Sequence, residues 1–334
     1  MGGRGWSEVR VKPRGFFASS VQPRPPIHRH FVARSIRRTD FVVDETSFSS
    51  GAASDVAACC ADFYEQSWVQ EILGEAFHPG GVALSTRLVH SLNLPDDSRV
   101  LDVACGIGTT TLIMERQFGF DAVGLDFSQS NIDKAIGAAG KNPPVLSEFV
   151  QGSADELPFS DETFDAVICE CAVSTFADQP RALSEFNRVL KPGGIVGITD
   201  MVVTGPLPDD IAEHIAPWTC MAEAHDVTGY QRLFHEAGFA VAHYADESQG
   251  LLDMVSDLKK KLLMAGMGKA LGAIPQLPAS LSELRTLLRR ARELTDEGVV
   301  QYCRMLFCKG QPRFPVPSTG PMPEPCDCDD PSCC

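Results

Sequence analysis

Apolar residues in the middle of the chain follow two spacings in turn: short β-branched runs, and longer runs with helical periodicity. The short runs predict buried strands and the longer ones amphipathic helices. Strands are predicted at Arg99–Val103, Ala122–Asp126, Ser147–Gln151, Phe164–Cys169, Gly194–Asp200 and Ala240–Tyr244. Helices are predicted at Thr110–Gln117, Ser128–Ala139, Gln179–Leu190 and Thr228–Ala237. This alternation predicts an α/β fold with a doubly wound, mostly parallel sheet.

Further elements flank this core. Helices are predicted at Cys60–Phe77 and Val82–Leu92 before it, at Asp253–Met264 and Ser280–Thr295 after it, and a last strand at Gly298–Cys308. The predicted domain therefore spans residues 57–310, with a helical insertion at about 250–298. Residues 311–334 are rich in Pro, Gly, Asp and Cys, which is typical of a disordered tail.

The N-terminal segment has a composition of its own. Residues 1–39 are rich in arginine and contain Ser, Pro and Ala, with Glu8 as their single acid. This composition predicts a mitochondrial or plastid transit peptide, followed by a linker up to residue 56. The alternative is a disordered basic tail on a cytoplasmic protein.

Charge and cysteine content exclude several classes of function. The 334-residue chain carries a formal net charge of −15, which argues against a nucleic-acid-binding surface. No apolar run approaches the roughly 18 residues that a membrane span needs. The 12 cysteines are clustered rather than arranged as a secreted disulfide framework. In a reducing compartment such clusters indicate thiol chemistry or binding of soft metals.

The run from Val100 to Thr111 predicts a strand, a glycine-rich turn and the start of a helix. This arrangement brings backbone N–H groups close to a bound nucleotide. Asp102, at the strand end, is expected to face the same crevice, and a carboxylate there suits a ligand with ammonium or hydroxyl groups better than a pyrophosphate. A dinucleotide oxidoreductase is the alternative, but its fingerprint has a third glycine where this chain has Thr111.

Three more motifs follow in order: a strand that ends in a carboxylate, an acidic loop with an apolar edge, and a helix stop before a strand. They span Gly124–Ser128, Gly152–Phe159 and Leu190–Gly194. With the glycine-rich turn, the ordered set resembles the class I S-adenosylmethionine (SAM)-dependent methyltransferases over about residues 60–245. The resemblance implies a seven-stranded Rossmann-like sheet, SAM as cosubstrate and no tightly bound metal.

The resemblance also implies roles for single residues. Asp102 and the turn at Gly106 and Gly108 would hold the methionine part of SAM, and Asp126 would accept hydrogen bonds from the ribose hydroxyls. Ala104 stands where the family usually has glycine, a departure expected to leave the turn intact.

The adenine part of the implied SAM site is assigned in the same way. Asp155 would contact the adenine amino group, and Phe127 or Leu157 would pack on the ring.

Two cysteines carry the expectation about the methyl acceptor. In their positions and in their amino-acid sequence, the segments around Cys171 and Cys220 resemble the arsenite methyltransferases and other proteins with a type 11 methyltransferase domain. The resemblance implies that both thiols bind trivalent arsenic, a soft three-coordinate centre for which thiolates are natural ligands. Candidates for a third thiol are Cys59, Cys60 and Cys105, and the tail pair Cys333 and Cys334 would capture or deliver metalloid.

Structural interpretations of the same residue types remain open. Free cysteine often packs as a small hydrophobe, which is the expectation for Cys105 and Cys169. The histidines lack metal-ligand spacing and are interpreted as surface or core residues, namely His78, His214, His225, His235 and His243. No catalytic His–carboxylate pair is recognisable.

Three functions compete on these observations. The first is methylation of thiol-bound arsenite, presented as its glutathione complex. The second is methylation of a small organic acceptor such as a quinone or a sterol-like lipid, because the fold alone does not choose the substrate. The third is a non-enzymatic metalloid-binding protein that uses the cysteine-rich tail.

Overall fold

The computed structural model describes residues 78–140, 146–214, 220, 221, 223–270, 281–313 and 315. The predicted transit peptide and linker, the helix predicted at 60–77, and Cys59, Cys60, Cys333 and Cys334 lie outside these residues. Those interpretations stay predictions.

Seven strands and eight helices are found in the described part of the chain. The strands are β1 (Arg99–Val103), β2 (Asp121–Asp126), β3 (Glu148–Gln151), β4 (Phe164–Glu170), β5 (Leu190–Val203), β6 (Phe239–Asp246) and β7 (Val300–Lys309). The helices are α1 (Gly81–Ser91), α2 (Thr109–Phe118), α3 (Gln129–Ala139), α4 (Gln179–Val189), α5 (Asp209–His214), α6 (Val227–Glu236), α7 (Ser248–Ala270) and α8 (Leu281–Asp296).

The strands form one sheet in the order β3-β2-β1-β4-β5-β7-β6. The first five strands are parallel, and β7 runs antiparallel to both of its neighbours. The predicted α/β fold with a doubly wound, mostly parallel sheet is therefore confirmed. The chain reverses its winding between β1 and β4, where a crevice opens at the carboxyl ends of the strands.

Both faces of the sheet are covered by apolar side chains, as the near-continuous apolar runs of its central strands predict. Leu101, Val103, Val167 and Cys169 point to the face that also packs α4 and α6. The residues that alternate with these along β1 and β4 point to the opposite face of the sheet, which α1 and α2 cover. A third cluster, around Leu84, Met201 and Tyr302, continues along the second face toward the carboxyl end of β5.

Capping residues set the helix starts that the sequence predicted. The Ser128 hydroxyl accepts the Asn131 N–H at the start of α3, and Asp178 and Asp226 cap α4 and α6 in the same way. Strand β5 is longer than predicted at both ends, because it spans Leu190–Val203 rather than Gly194–Asp200. Gly193 within it has a φ of 74°, and a Cβ there would lie 2.7 Å from the Gln311 carbonyl oxygen. The first residues of the predicted tail therefore pack against the domain.

Candidate active site

The glycine-rich turn joins β1 to α2 through a run of left-handed residues. Ala104, Gly106 and Gly108 have φ values of 61°, 55° and 80°. Position 108 also has no room for a side chain, because a Cβ on Gly108 would lie 2.7 Å from the Phe149 ring and 2.9 Å from the Ala135 Cβ. The turn forms with Ala104 in place of glycine, although a left-handed alanine is strained.

Asp102 lies beneath this turn rather than in open solvent. It is only 2% exposed, and its Oδ2 accepts a 2.6 Å hydrogen bond from the Thr111 hydroxyl. Burial raises the pKa of Asp102 to about 8, and the charges of Glu170 and Asp126 add to that rise while Thr111 opposes it. Thr111, which replaces the third glycine of a dinucleotide fingerprint, thus fixes the start of α2 to β1.

Asp126 connects the glycine-rich turn to the next helix. Its Oδ2 accepts the Gly106 N–H at 2.8 Å, and its Oδ1 accepts the Ser128 N–H at 2.9 Å and the Asn131 side-chain amide at 3.2 Å. These donors pre-position a carboxylate at the end of β2, where a ligand hydroxyl could donate to it. The neighbouring Phe127 ring is 63% exposed.

The two candidates for adenine packing lie in different environments. Leu157 is 4% exposed and belongs to the core, whereas Phe127 presents an open ring. The Phe127 carbonyl accepts a 3.2 Å hydrogen bond from the Gln151 side chain, which joins it to the loop that carries Asp155. Asp155 is half-buried, and its carbonyl accepts a hydrogen bond from Arg181. Phe127 is therefore the accessible apolar surface at this edge.

The two predicted acceptor cysteines lie together. Their Sγ atoms are 3.1 Å apart although the residues are 49 positions apart in the chain, and the Cys220 thiol also lies 2.9 Å from the Cys171 carbonyl oxygen. Cys220 is 4% exposed and Cys171 is half-buried. Both thiols contact the apolar cluster around Leu84, Met201 and Tyr302.

Strand β5 holds Cys171 in this position. Cys171 has a left-handed φ of 54° and donates its N–H to the Thr199 carbonyl oxygen at 2.6 Å. The next residue of β5, Asp200, accepts the backbone N–H and the hydroxyl of Ser174 at 3.0 and 2.6 Å. Burial raises the pKa of Asp200 to about 6. A non-glycine residue in this conformation persists only where its surroundings fix it, and such positions cluster at functional sites.

A His–carboxylate pair that the sequence did not predict lies beside Cys171. The Nε2 of His78 is 3.5 Å from the Glu170 Oε2 and 3.1 Å from the Ser85 hydroxyl. Glu170 also accepts hydrogen bonds from Ser85 at 3.1 Å and from Thr110 at 2.7 Å. No such pair was recognisable in the sequence, because the group forms between the residue His78, the helices α1 and α2, and the end of β4. The one signal in the sequence was a charged residue at the end of a buried strand.

Of the remaining described cysteines, Cys169, Cys303 and Cys308 are buried and Cys105 is half-buried. Burial raises the pKa of Cys105 and Cys169 well above the usual value, and that of Cys308 to about 11. A Cβ at Gly124 would lie 2.9 Å from the Cys105 sulfur, so this thiol is packed against β2. Among the described residues, no group of three or more His, Cys, Asp or Glu side chains could hold a metal ion. A search of the same residues finds no helix with the length and hydropathy of a membrane span.

Residues 101–198 match the sequence model of the family described as "Methyltransferase domain". This part of the chain is a methyltransferase domain. The resemblance predicted from the ordered motifs is confirmed, and the domain contains the glycine-rich turn, Asp126, Asp155 and Cys171.

Curated relatives of the methyltransferase domain differ in what their names say they methylate. The chain is 30% identical over 209 residues to an arsenite methyltransferase of Halobacterium salinarum, covering 60% of this chain and 53% of the relative. It is 34% identical over 173 residues to phosphoethanolamine N-methyltransferase 3 of Arabidopsis thaliana, covering 51% of this chain and 34% of the relative. The chain thus spans between a third and about half the length of these relatives.

A solved structure supports the same fold. The chain aligns with phosphoethanolamine N-methyltransferase 2 of Haemonchus contortus with a TM-score of 0.64 and 19% identity, over 75% of this chain and 60% of that chain. That structure holds phosphomonomethylethanolamine and S-adenosylhomocysteine.

Proposed function

We propose that the protein is a SAM-dependent methyltransferase whose acceptor is trivalent arsenic bound by Cys171 and Cys220. The observation that carries the proposal is the 3.1 Å contact of these two sulfurs at the carboxyl edge of the sheet. Two sulfurs that each bind one shared centre at about 2.3 Å are about 3.3 to 3.8 Å apart for bond angles near 90 to 110°. A small movement of either thiol would therefore let both bind one arsenic atom.

The cofactor half of this proposal rests on the methyltransferase domain and on the geometry of its turn. The residues present fit SAM: Gly106 and Gly108 place no side chain at two positions of the turn, the Asp126 carboxylate can accept hydrogen bonds from ribose hydroxyls, and the exposed Phe127 ring can pack on adenine. When bound, SAM would supply an electrophilic methyl group. Buried Asp102 fixes the turn through Thr111 and lies near the predicted methionine end.

The acceptor half supplies positioning rather than acid–base chemistry. Each thiol would replace one hydroxide of arsenous acid, so that an As–S bond forms, an As–O bond breaks, and the thiol proton leaves with the hydroxide as water. The arsenic would keep its lone pair and share it with the methyl carbon of SAM, so that an As–C bond forms in line as the C–S bond of the sulfonium breaks. S-adenosylhomocysteine would leave with the C–S electron pair, and the arsenic would go formally from +3 to +5. Correct alignment supplies most of the rate of such a displacement. The Thr199 carbonyl, which accepts the Cys171 N–H, would fix Cys171, and Asp200 would hold Ser174 of the same loop.

The test is a methylation assay with purified protein, arsenite, glutathione and SAM. We expect methylated arsenic from the wild type and at least about a 100-fold loss in Cys171→Ser and Cys220→Ser, because one remaining thiol cannot hold arsenic in a fixed geometry. The matched control is Cys308→Ala. It removes a buried thiol near the end of β7, whereas Tyr302 of the acceptor site lies near the start of that strand. Unchanged turnover in both serine variants would refute the thiol mechanism.

A second candidate acceptor is a small neutral organic molecule, such as a quinone or a sterol-like lipid. The apolar surroundings of the cysteine pair favour it, because the pair belongs to a cluster with Leu84, Met201 and Tyr302. Turnover of such an acceptor, with none of arsenite, would select this candidate.

A further inference from the structure

Glu170 lies where the acceptor site meets the glycine-rich turn. It is the last residue of β4, it pairs in register with Thr199, and Cys171 follows it directly. The carbonyl of Thr199 accepts the Cys171 N–H, and its hydroxyl accepts the Tyr302 hydroxyl at 2.9 Å. Glu170, Cys171 and Tyr302 are therefore tied to one residue of β5.

The Glu170 carboxylate is removed from solvent. Its side chain is 7% exposed, and it accepts hydrogen bonds from Ser85 of α1 and Thr110 of α2. Both donors are uncharged hydroxyls, which stabilise a carboxylate without cancelling its charge. Arg87 and Arg304 pair with Glu247. Among the described residues, His78 is the basic group in contact with Glu170.

The charge of Glu170 reaches both halves of the site. It contributes to the raised pKa of Asp102 on β1, where burial is the larger cause. Burial, then Cys171, then Glu170 raise the pKa of Tyr302, whose hydroxyl lies on the acceptor side. An anion that entered beside Cys171 would experience the same field, which is weakly screened in a buried site.

We propose that Glu170 is a specificity-determining residue, whose buried carboxylate admits neutral and cationic acceptors beside Cys171 and Cys220 and excludes anionic ones. The inference rests on the proposed function, because it concerns the acceptor that this cysteine pair binds. Arsenous acid is neutral at physiological pH and passes such a filter, whereas phosphate esters and carboxylates are repelled. Rejection by an unfavourable charge is a common route to specificity.

The experiment compares two aryl arsenoxides that differ only in a para substituent, a neutral carboxamide or an anionic carboxylate. Each is bound to the full-length protein in competition with a soluble dithiol. For the wild type we expect the neutral compound to bind about 10-fold or more tightly, because a unit charge repels another within the site. In Glu170→Gln the two affinities should converge.

Two variants keep the result interpretable. Glu170→Asp retains the charge and should retain the preference even if overall affinity falls. Glu148→Gln removes the same charge from exposed β3 and should leave the preference unchanged. Equal affinities in the wild type, or a preserved preference in Glu170→Gln, would overturn the charge filter. Failure of both compounds to bind the wild type, or equal binding by Cys171→Ser, would instead overturn the proposed dithiol site.

Discussion

The two halves of the candidate site are built over very different distances along the chain. In the cofactor half, the Asp126 carboxylate reaches Gly106 across 20 positions, and Asp102 reaches Thr111 across 9. In the acceptor half, Ser85 reaches Glu170 across 85 positions and Cys171 reaches Cys220 across 49. A local unit leaves an ordered motif in the sequence, whereas a site assembled from distant segments leaves single residues with ordinary alternative explanations.

The two halves also differ in chemistry. The cofactor half presents backbone N–H groups, a carboxylate that several donors hold in place, and an exposed aromatic ring. The acceptor half presents two thiols and a carboxylate within an apolar cluster. If the halves are independent, a change in one should alter the binding of one ligand only.

The strongest test of that independence is Asp126→Asn. The amide can keep one accepting oxygen, but it loses the charge and one of its two accepting positions, and charge-assisted hydrogen bonds contribute about 1.5 to 3 kcal/mol. We expect the dissociation constant for SAM to rise about 10- to 100-fold, measured by titration calorimetry, while arsenite binding stays within about twofold.

Asp121→Asn is the matched control, because Asp121 begins the same strand at its opposite, exposed end. It should leave both affinities unchanged. If Asp126→Asn weakened arsenite binding as much as SAM binding, the two halves would be one coupled unit and the comparison would fail.

The sequence predicted the fold and the cofactor half largely because both follow from local pattern. The alternation of strands and helices gave the sheet, and the glycine spacing gave the turn with its left-handed φ values. That Cys171 and Cys220 lie together was predicted from the sequence only through a family resemblance. The His78–Glu170 pair was missed because His78 precedes α1 and Glu170 ends β4, and a local pattern gives no sign of a partner in a distant element.

The burial of individual side chains could not be predicted from the sequence either. Leu157 and Phe127 were equal candidates for packing on adenine, and tertiary structure buries the first and exposes the second. Asp102 was expected to face the crevice, but the start of α2 covers it and burial raises its pKa to about 8. Burial depends on which helix crosses a strand, and a strand pattern does not specify that.

Asp102 provides a second test, because it lies where the charges of both halves meet. Its pKa in the folded protein is about 8, above the ordinary 3.8. Between those values the folded state binds a proton that the unfolded state does not, so this residue makes stability fall as pH rises. Asp200, whose pKa is about 6, acts in the same direction at lower pH. Between pH 6 and 7 the slope due to Asp102 is expected to be about 1.4 kcal/mol per pH unit. It should disappear in Asp102→Asn, as measured by urea unfolding.

An exposed carboxylate supplies the control for that slope. Asp133→Asn on α3 removes one charge at the surface and should keep the wild-type dependence on pH. If the slope between pH 6 and 7 stayed at the wild-type value in Asp102→Asn, Asp102 would be ionised in the folded protein. The contrast between this buried carboxylate and an exposed one would then be lost.

The smallest expected effect concerns Ala104, the one strained non-glycine residue of the glycine-rich turn. Its φ of 61° disfavours an L side chain, and its methyl group packs only at the edge of the core. We expect Ala104→Gly to raise the free energy of unfolding by about 0.5 to 1 kcal/mol, because relief of strain exceeds the lost packing and the added chain entropy. Ala83→Gly in α1 makes the same exchange at a helical position and should lower stability by a similar amount. A destabilised Ala104→Gly would show that the methyl group stabilises the turn, and the cofactor half would then depend on packing as strongly as the acceptor half does.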